Sequence, residues 1–185
     1  MLIINIYKGD KWNEDLEIFE NLDQDVELRL EHSLISIAKW ESKWHKPYLS
    51  HTDKSDEEMK DYVRCMTING NVPDVAYDFL SGEDYKNIGE YIEDPMSASN
   101  IIIGKNKKTP GVFAGNEVTS DKIYYWMVAF NIPPEYQKWH LNRLLNLIYI
   151  CNDENKEPEK MSRNELLRRN SELNAARKKM LGVNE

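Results

Sequence analysis

Eight consecutive residues, Ile123 to Phe130, carry only aliphatic, aromatic and methionine side chains. A chain containing such a block must build a core around it. With Thr119 or Ser120 as N-cap, the block predicts a helix that is apolar all round, and a helix of that kind is buried on all sides. Ile132-Pro133-Pro134 stops it and puts proline near the first turn of a second helix. That second helix carries Tyr136, Trp139, Leu141, Leu144, Leu145, Leu147, Ile148 and Cys151 on a broad apolar face. Together the two predict a buried helical hairpin against which other elements pack. At 185 residues and 41% hydrophobic composition, the chain has the length for one domain, or one domain with an appendage.

Upstream the periodicity is mixed. Leu2, Ile4 and Ile6 alternate with Ile3, Asn5 and Tyr7, and Val26, Leu28 and Leu30 alternate with Glu27, Arg29 and Glu31. A period of two predicts strands with one face on a core, so residues 1–31 are expected to form a small β-hairpin or sheet. The acidic stretch Asp10 to Asp25 between them is expected to be a connection with a helical turn at Leu16–Leu22. From Ser33 the period becomes helical: Leu34, Ile37, Trp40 and Trp44 form one stripe, ended by Pro47. Ser55 and Glu58 stand at capping-box spacing and open a helix with Met59, Tyr62, Val63 and Met66 on one face, stopped by Asn69-Gly70-Asn71. Shorter helices are expected around Asp74–Leu80 and Gly82–Glu93, then a possible short strand at Ile101–Ile103 and a loop at 104–111. The fold class expected is mainly α (α+β): a β element over 1–31, a helical body over 32–155, and a linker with a basic helix over 156–185.

Charge is unevenly distributed along this plan. Residues 160–185 hold seven basic side chains against three acidic ones, a net of +4, which leaves 17 basic against 29 acidic and a net of −12 for residues 1–159. Ser162 to Glu165 forms a further capping box, and Gly182 marks the helix end. Within that helix Leu166, Leu173 and Met180 repeat every seven residues, a narrow seam of the kind that meets another helix. A basic helix on an acidic chain points to protein contact: Leu166, Leu173 and Met180 as anchors, with Arg169 and Arg177 steering toward acidic surface. Packing of this helix on the acidic body is the competing reading. Trp40 and Trp44 are a second candidate anchor, although tryptophans at helical spacing also build cores. Nucleic acid is disfavoured, because the body repels phosphate and the helix lacks interleaved aromatics.

Catalytic motifs are missing from the sequence. His45, His51 and Asp53 are close together but straddle Pro47 and match no zinc spacing. His140 reads as a residue at the edge of the core rather than a general base. Cys65 and Cys151 read as packing residues in a reducing compartment, since two cysteines build no disulfide framework. There is no P-loop, GxGxxG, GxSxG, HExxH or EF-hand loop. No cofactor and no metal are expected, and the reading is non-enzymatic. No apolar run approaches the ~20 residues of a transmembrane helix, and MLIINIYKGDKW lacks the basic start and cleavage site of a secretion signal.

Several segments resemble those of small proteins of tailed bacteriophages. They are Leu30 to Trp44, Asp61-Tyr62-Val63-Arg64-Cys65-Met66-Thr67, Tyr91-Ile92-Glu93-Asp94-Pro95-Met96 and Ile123-Tyr124-Tyr125-Trp126-Met127. The strongest are Gln137-Lys138-Trp139-His140-Leu141-Asn142-Arg143-Leu144 and Lys160-Met161-Ser162 through Lys179. In order they cover roughly residues 28–182, and the group they resemble is that of the tail assembly chaperones. The resemblance implies a protein of the infected host cell's cytoplasm that binds the tape-measure protein, keeps it soluble, and helps recruit tail-tube subunits. It carries no catalytic residues. A homo-oligomer is compatible with it, and the alternative is a minor structural virion protein, such as a tail or head-completion component.

Overall fold

The computed structural model describes residues 1–13, 17–98, 117–155 and 163–180, without the side chains of residues 13, 163–166, 175, 176, 178 and 179. It is mainly helical, with a small antiparallel strand region at the N-terminus. Residues Met1–Asn152 form one compact unit and Asp153–Glu185 a second. The expectations for Ile101–Ile103, the loop at 104–111, Ser162 as a cap, the side chain of Leu166, and Gly182 lie outside the described residues.

Strand β1 (Leu2–Ile6) pairs antiparallel with β4 (Val26–Leu30), Leu2 facing Leu30 and Ile6 facing Val26. The alternation works as expected: Ile4, Ile6, Val26, Leu28 and Leu30 are buried, while Ile3 and Tyr7 face outward. The stretch between them differs from expectation. It holds a second antiparallel pair, β2 (Gly9–Asn13) with β3 (Ile18–Leu22), in place of a connection with a helical turn. Trp12 stands opposite Phe19 with rings 4.9 Å apart, and Leu22 is the only described side chain of this pair in the core. Cross-strand aromatic packing outweighs the weak β-propensity of the Asp, Glu and Asn residues that hid these strands.

Helix α1 (Leu34–Trp44) starts at a capping box made by Ser33 and Ser36 and ends on His45 in the left-handed region (φ 53°), two residues before the proline expected to stop it. Leu34, Ile37 and Trp40 are fully buried, and α1 packs against both α2 (Asp56–Met66) and α4 (Ser120–Ala129). Ser55 and Glu58 form the predicted capping box of α2. Its stop is Thr67, which leaves the helix to bridge Leu30 of β4 before the Asn69-Gly70-Asn71 turn is reached. A 3-10 helix (Asp74–Phe79) leads into α3 (Gly82–Glu93), which is capped by Ser81 and Asp84.

The apolar block in α4 corrects the expectation that it is buried all round. Ile123, Trp126 and Met127 are buried, but Tyr125 is 68% and Val128 78% exposed. Helix α4 lies on one side of α1, so only one of its faces meets the core. The next predicted helix is also divided. A 3-10 helix (Pro134–Lys138) is followed by Trp139 in extended backbone and a bridge between His140 and Ser33, and only then by α5 (Leu141–Glu154). The bridge places the Leu141 N–H 2.7 Å from the His32 carbonyl, so the α5 start is pinned to the α1 start. The core is thus organised around α1 rather than an α4–α5 hairpin. The second unit holds α6 (Arg163–Met180).

Candidate partner-binding surface

Helix α6 is rich in Leu, Arg, Glu, Lys and Ala, which are good helix formers. Its 18 residues span about 27 Å at a rise of 1.5 Å per residue. At 100° per residue, Arg169, Leu173, Arg177 and Met180 lie within one narrow sector of the cylinder. All four are exposed, Leu173 by 47% and Met180 by 90%. Leu166 has the same heptad position by sequence. Leu167 is exposed on a different face, and Arg168 pairs with Glu172 one turn on at 3.2 Å. The helix therefore displays two apolar side chains seven residues apart, with an arginine near each.

The two tryptophans are tied into the packing of the first unit. Trp40 is fully buried and donates its indole N–H to the Glu58 carbonyl at 2.9 Å, so it is a core residue and not an anchor for a partner. Trp44 is half-buried, stacks on Trp40 at 6.1 Å, and donates to Asp61 Oδ2 at 2.8 Å. The Lys43 and Lys46 ammonium groups lie 5.8 and 5.7 Å from its ring. The arrangement joins the end of α1 to α2.

Sequence reasoning missed the polar groups inside this junction. Glu58 and Asp61 are both buried on α2. Lys46 approaches Glu58 Oε1 at 2.5 Å, Lys43 binds Asp61, and the Ser55 N–H donates to Glu58 Oε2 at 2.8 Å. The Lys46 hydrogen bond, then the Ser55 N–H, hold the Glu58 carboxyl down at about 2. A signal was available: both acids flank Tyr62 on the buried side of a regular helix, where an unpaired charge is costly and a paired one ties elements together.

A second buried group lies where α1 and α5 begin. His32 Nδ1 is 2.5 Å from the Tyr62 hydroxyl, and its ring is 5.1 Å from that of His140. His140 Nε2 donates to the Tyr91 carbonyl at 3.0 Å, which leaves Nδ1 as the bare nitrogen of the neutral ring, buried without a partner. Burial first, and then the nearby His140, depress His32 to about 3, and burial also lowers His140. Neither histidine lines the grooves beside β1, beside the Asp74–Phe79 helix, or between α1 and α2. Both imidazoles are buried and neutral, and each makes a hydrogen-bond contact inside the fold. His140 is more deeply set than the edge position expected for it.

Among the described residues no group of three or more His, Cys, Asp and Glu is placed to hold a metal ion. His45 and Asp53 are exposed, and His51 Nε2 lies 3.5 Å from Glu58 Oε2. Burial raises the Cys65 thiol to about 11, the opposite of an activated nucleophile. No helix among the described residues is long and apolar enough to cross a membrane. Comparison of the chain with protein-family models, with curated proteins and with solved structures gives no match in any of the three.

Proposed function

We propose that the chain is a non-catalytic tail assembly chaperone of a tailed bacteriophage, which holds the tape-measure protein in the host cytoplasm before the tail tube polymerises. The observation that carries this reading is the exposed face of α6, where Leu173 and Met180 repeat at heptad spacing beside Arg169 and Arg177. A long helical partner with an apolar seam and acidic flanks is complementary to such a face. The sequence resemblance over residues 28–182 supports the same reading, as does the sign of the charge, since the basic helix is the cationic part of an acidic chain.

Co-expression with the tape-measure protein of the same gene cluster, followed by pull-down, tests it. The full chain is expected to capture the tape measure, and a chain ending at Glu159 is expected to lose it. Burying one leucine is worth about 1.5–3 kcal/mol, so Leu173→Ala is expected to weaken capture roughly tenfold or more. Capture by both chains would move the contact to the body. No capture, with the protein present stoichiometrically in purified particles, would overturn the proposal in favour of a minor structural virion component.

A further inference from the structure

The two outer edges of the β1–β4 ribbon are in different states. On β4, the Arg29 N–H donates to Asn69 Oδ1 at 2.9 Å and the Arg29 carbonyl accepts the Ile68 N–H at 2.9 Å. The Glu27 carbonyl accepts Asn69 Nδ2 at 2.8 Å, and the Glu31 N–H reaches the Met66 carbonyl at 2.9 Å. Odd-numbered residues of β4 therefore point their backbone groups outward, and Val26, Leu28 and Leu30 bond to β1. By the register these bonds go to Ile6, Ile4 and Leu2, which leaves Ile3 and Asn5 with N–H and C=O groups turned away from β4. Among the described residues no hydrogen bond reaches those groups. An exposed strand edge is a template for another strand, and folded proteins generally cover or blunt it.

Beside this edge runs a groove of about 520 Å³ between β1 and α3. Its far wall is one face of α3 and its C-terminal end, with Asp84, Asn87, Glu90 and Asp94, and no lysine or arginine lines it. Lys86 pairs with Glu90 at 3.9 Å from an exposed position, and the other two carboxylates accept backbone N–H groups at the helix ends. We propose that this groove takes an extended, lysine- or arginine-bearing segment of a partner protein as a third strand beside β1. Main-chain bonds from Ile3 and Asn5 supply the register, and strand addition of this kind is an established recognition mode. Every second side chain of the added strand points to the α3 side, where cations meet Asp84, Glu90 and Asp94. The others lie beside the exposed Ile3 and Tyr7. The groove is lined only by residues of the first unit, and the inference does not rest on the function proposed for α6.

The test uses the full chain, isotopically labelled, with a blocked nine-residue peptide of alternating lysine and valine as probe and its glutamate–valine counterpart as control. The lysine peptide is expected to bind saturably and to slow amide exchange at Ile3 and Asn5, while the glutamate peptide does neither. Asn5→Pro removes an outward donor without touching the β1–β4 ladder, so it is expected to abolish that binding. Glu90→Gln with Asp94→Asn leaves the strand intact and is expected to weaken binding by about tenfold and flatten its salt dependence. Binding without protection of Ile3 and Asn5, equal binding by both variants, or the same shifts produced by spermidine alone would overturn the proposal. So would the absence of any binding by the lysine peptide.

Discussion

Acidification from pH 7 to pH 5 should destabilise the body through His32 before any carboxylate pairing is lost. The imidazole is enclosed, shares a 2.5 Å contact with the Tyr62 hydroxyl, and sits at about 3 in the folded chain against 6.5 when unfolded. Because the folded value is depressed, the unfolded chain takes up a proton as the pH falls through 6.5 while the folded ring stays neutral. The stability held by neutral His32 is fully present above pH 6.5 and is lost as the pH falls toward 3. The slope below pH 6 is about 1.4 kcal/mol per pH unit for one such group, so the fall between pH 7 and pH 5 is about 2 kcal/mol. His140, lowered by burial, adds in the same direction. Glu58, held at about 2 against 4.5 unfolded, acts in the same direction, but its contribution is lost only as the pH falls through 4.5 toward 2. Urea unfolding followed by tryptophan fluorescence between pH 7 and 5 therefore reads the histidines. His32→Gln keeps a hydrogen-bonding group and cannot titrate, so its slope should be shallower than that of the wild type by about one proton. A wild type with the same free energy at both pH values would refute the reasoning, as would a His32→Gln slope equal to the wild type's.

Three other substitutions or truncations test the packing. Trp40→Ala empties a fully buried site between Trp44 and Tyr48 and removes the donor to the Glu58 carbonyl; a loss of about 3–5 kcal/mol is expected in urea unfolding. Ser55→Ala removes the hydroxyl that accepts the Glu58 N–H at the start of α2, with an expected cost of about 1 kcal/mol in the same assay. A chain ending at Glu159 keeps every residue of the buried cluster, all of which lie within residues 1–152. Its urea midpoint is expected to match that of the full chain, and a large drop would show that α6 contributes to the stability of the body.

What could be read from the sequence depended on how many neighbours a residue needs in order to reveal its place. Caps and short periods are local: Ser55 with Glu58, and the alternation through Leu2, Ile4 and Ile6, involve residues a few positions apart, and both appear as expected. The β2–β3 pair is legible only when Trp12 is set in register against Phe19, and each strand alone looks like an acidic connection. The division of the Tyr136–Cys151 stretch at Trp139 has no local cause at all. It follows from the pairing of His140 with Ser33, more than a hundred residues earlier in the chain. The face of α6 belongs to the local kind, since heptad spacing within one helix aligned Arg169, Leu173, Arg177 and Met180 before any tertiary contact was known.

Helix α4 shows why composition and burial are separate questions. A block without a single charged residue from Ile123 to Phe130 satisfies the hydropathy criterion for burial on every side. A core, however, has a finite number of faces, and α1 occupies its centre, with α2 and α4 packed against it. Ile123, Trp126 and Met127 fill the side of α4 that meets α1, and Tyr125 and Val128 are carried to the opposite side by the 3.6-residue period. Glu58 and Asp61 are the converse: the helix period carries these charged residues inward beside Tyr62, where Lys46 and Lys43 reach them. Hydropathy counts what a segment contains, whereas burial is decided by which angular sector the neighbouring element covers. For α4, and for Glu58 and Asp61 on α2, that sector is set by α1, an element outside the segment itself.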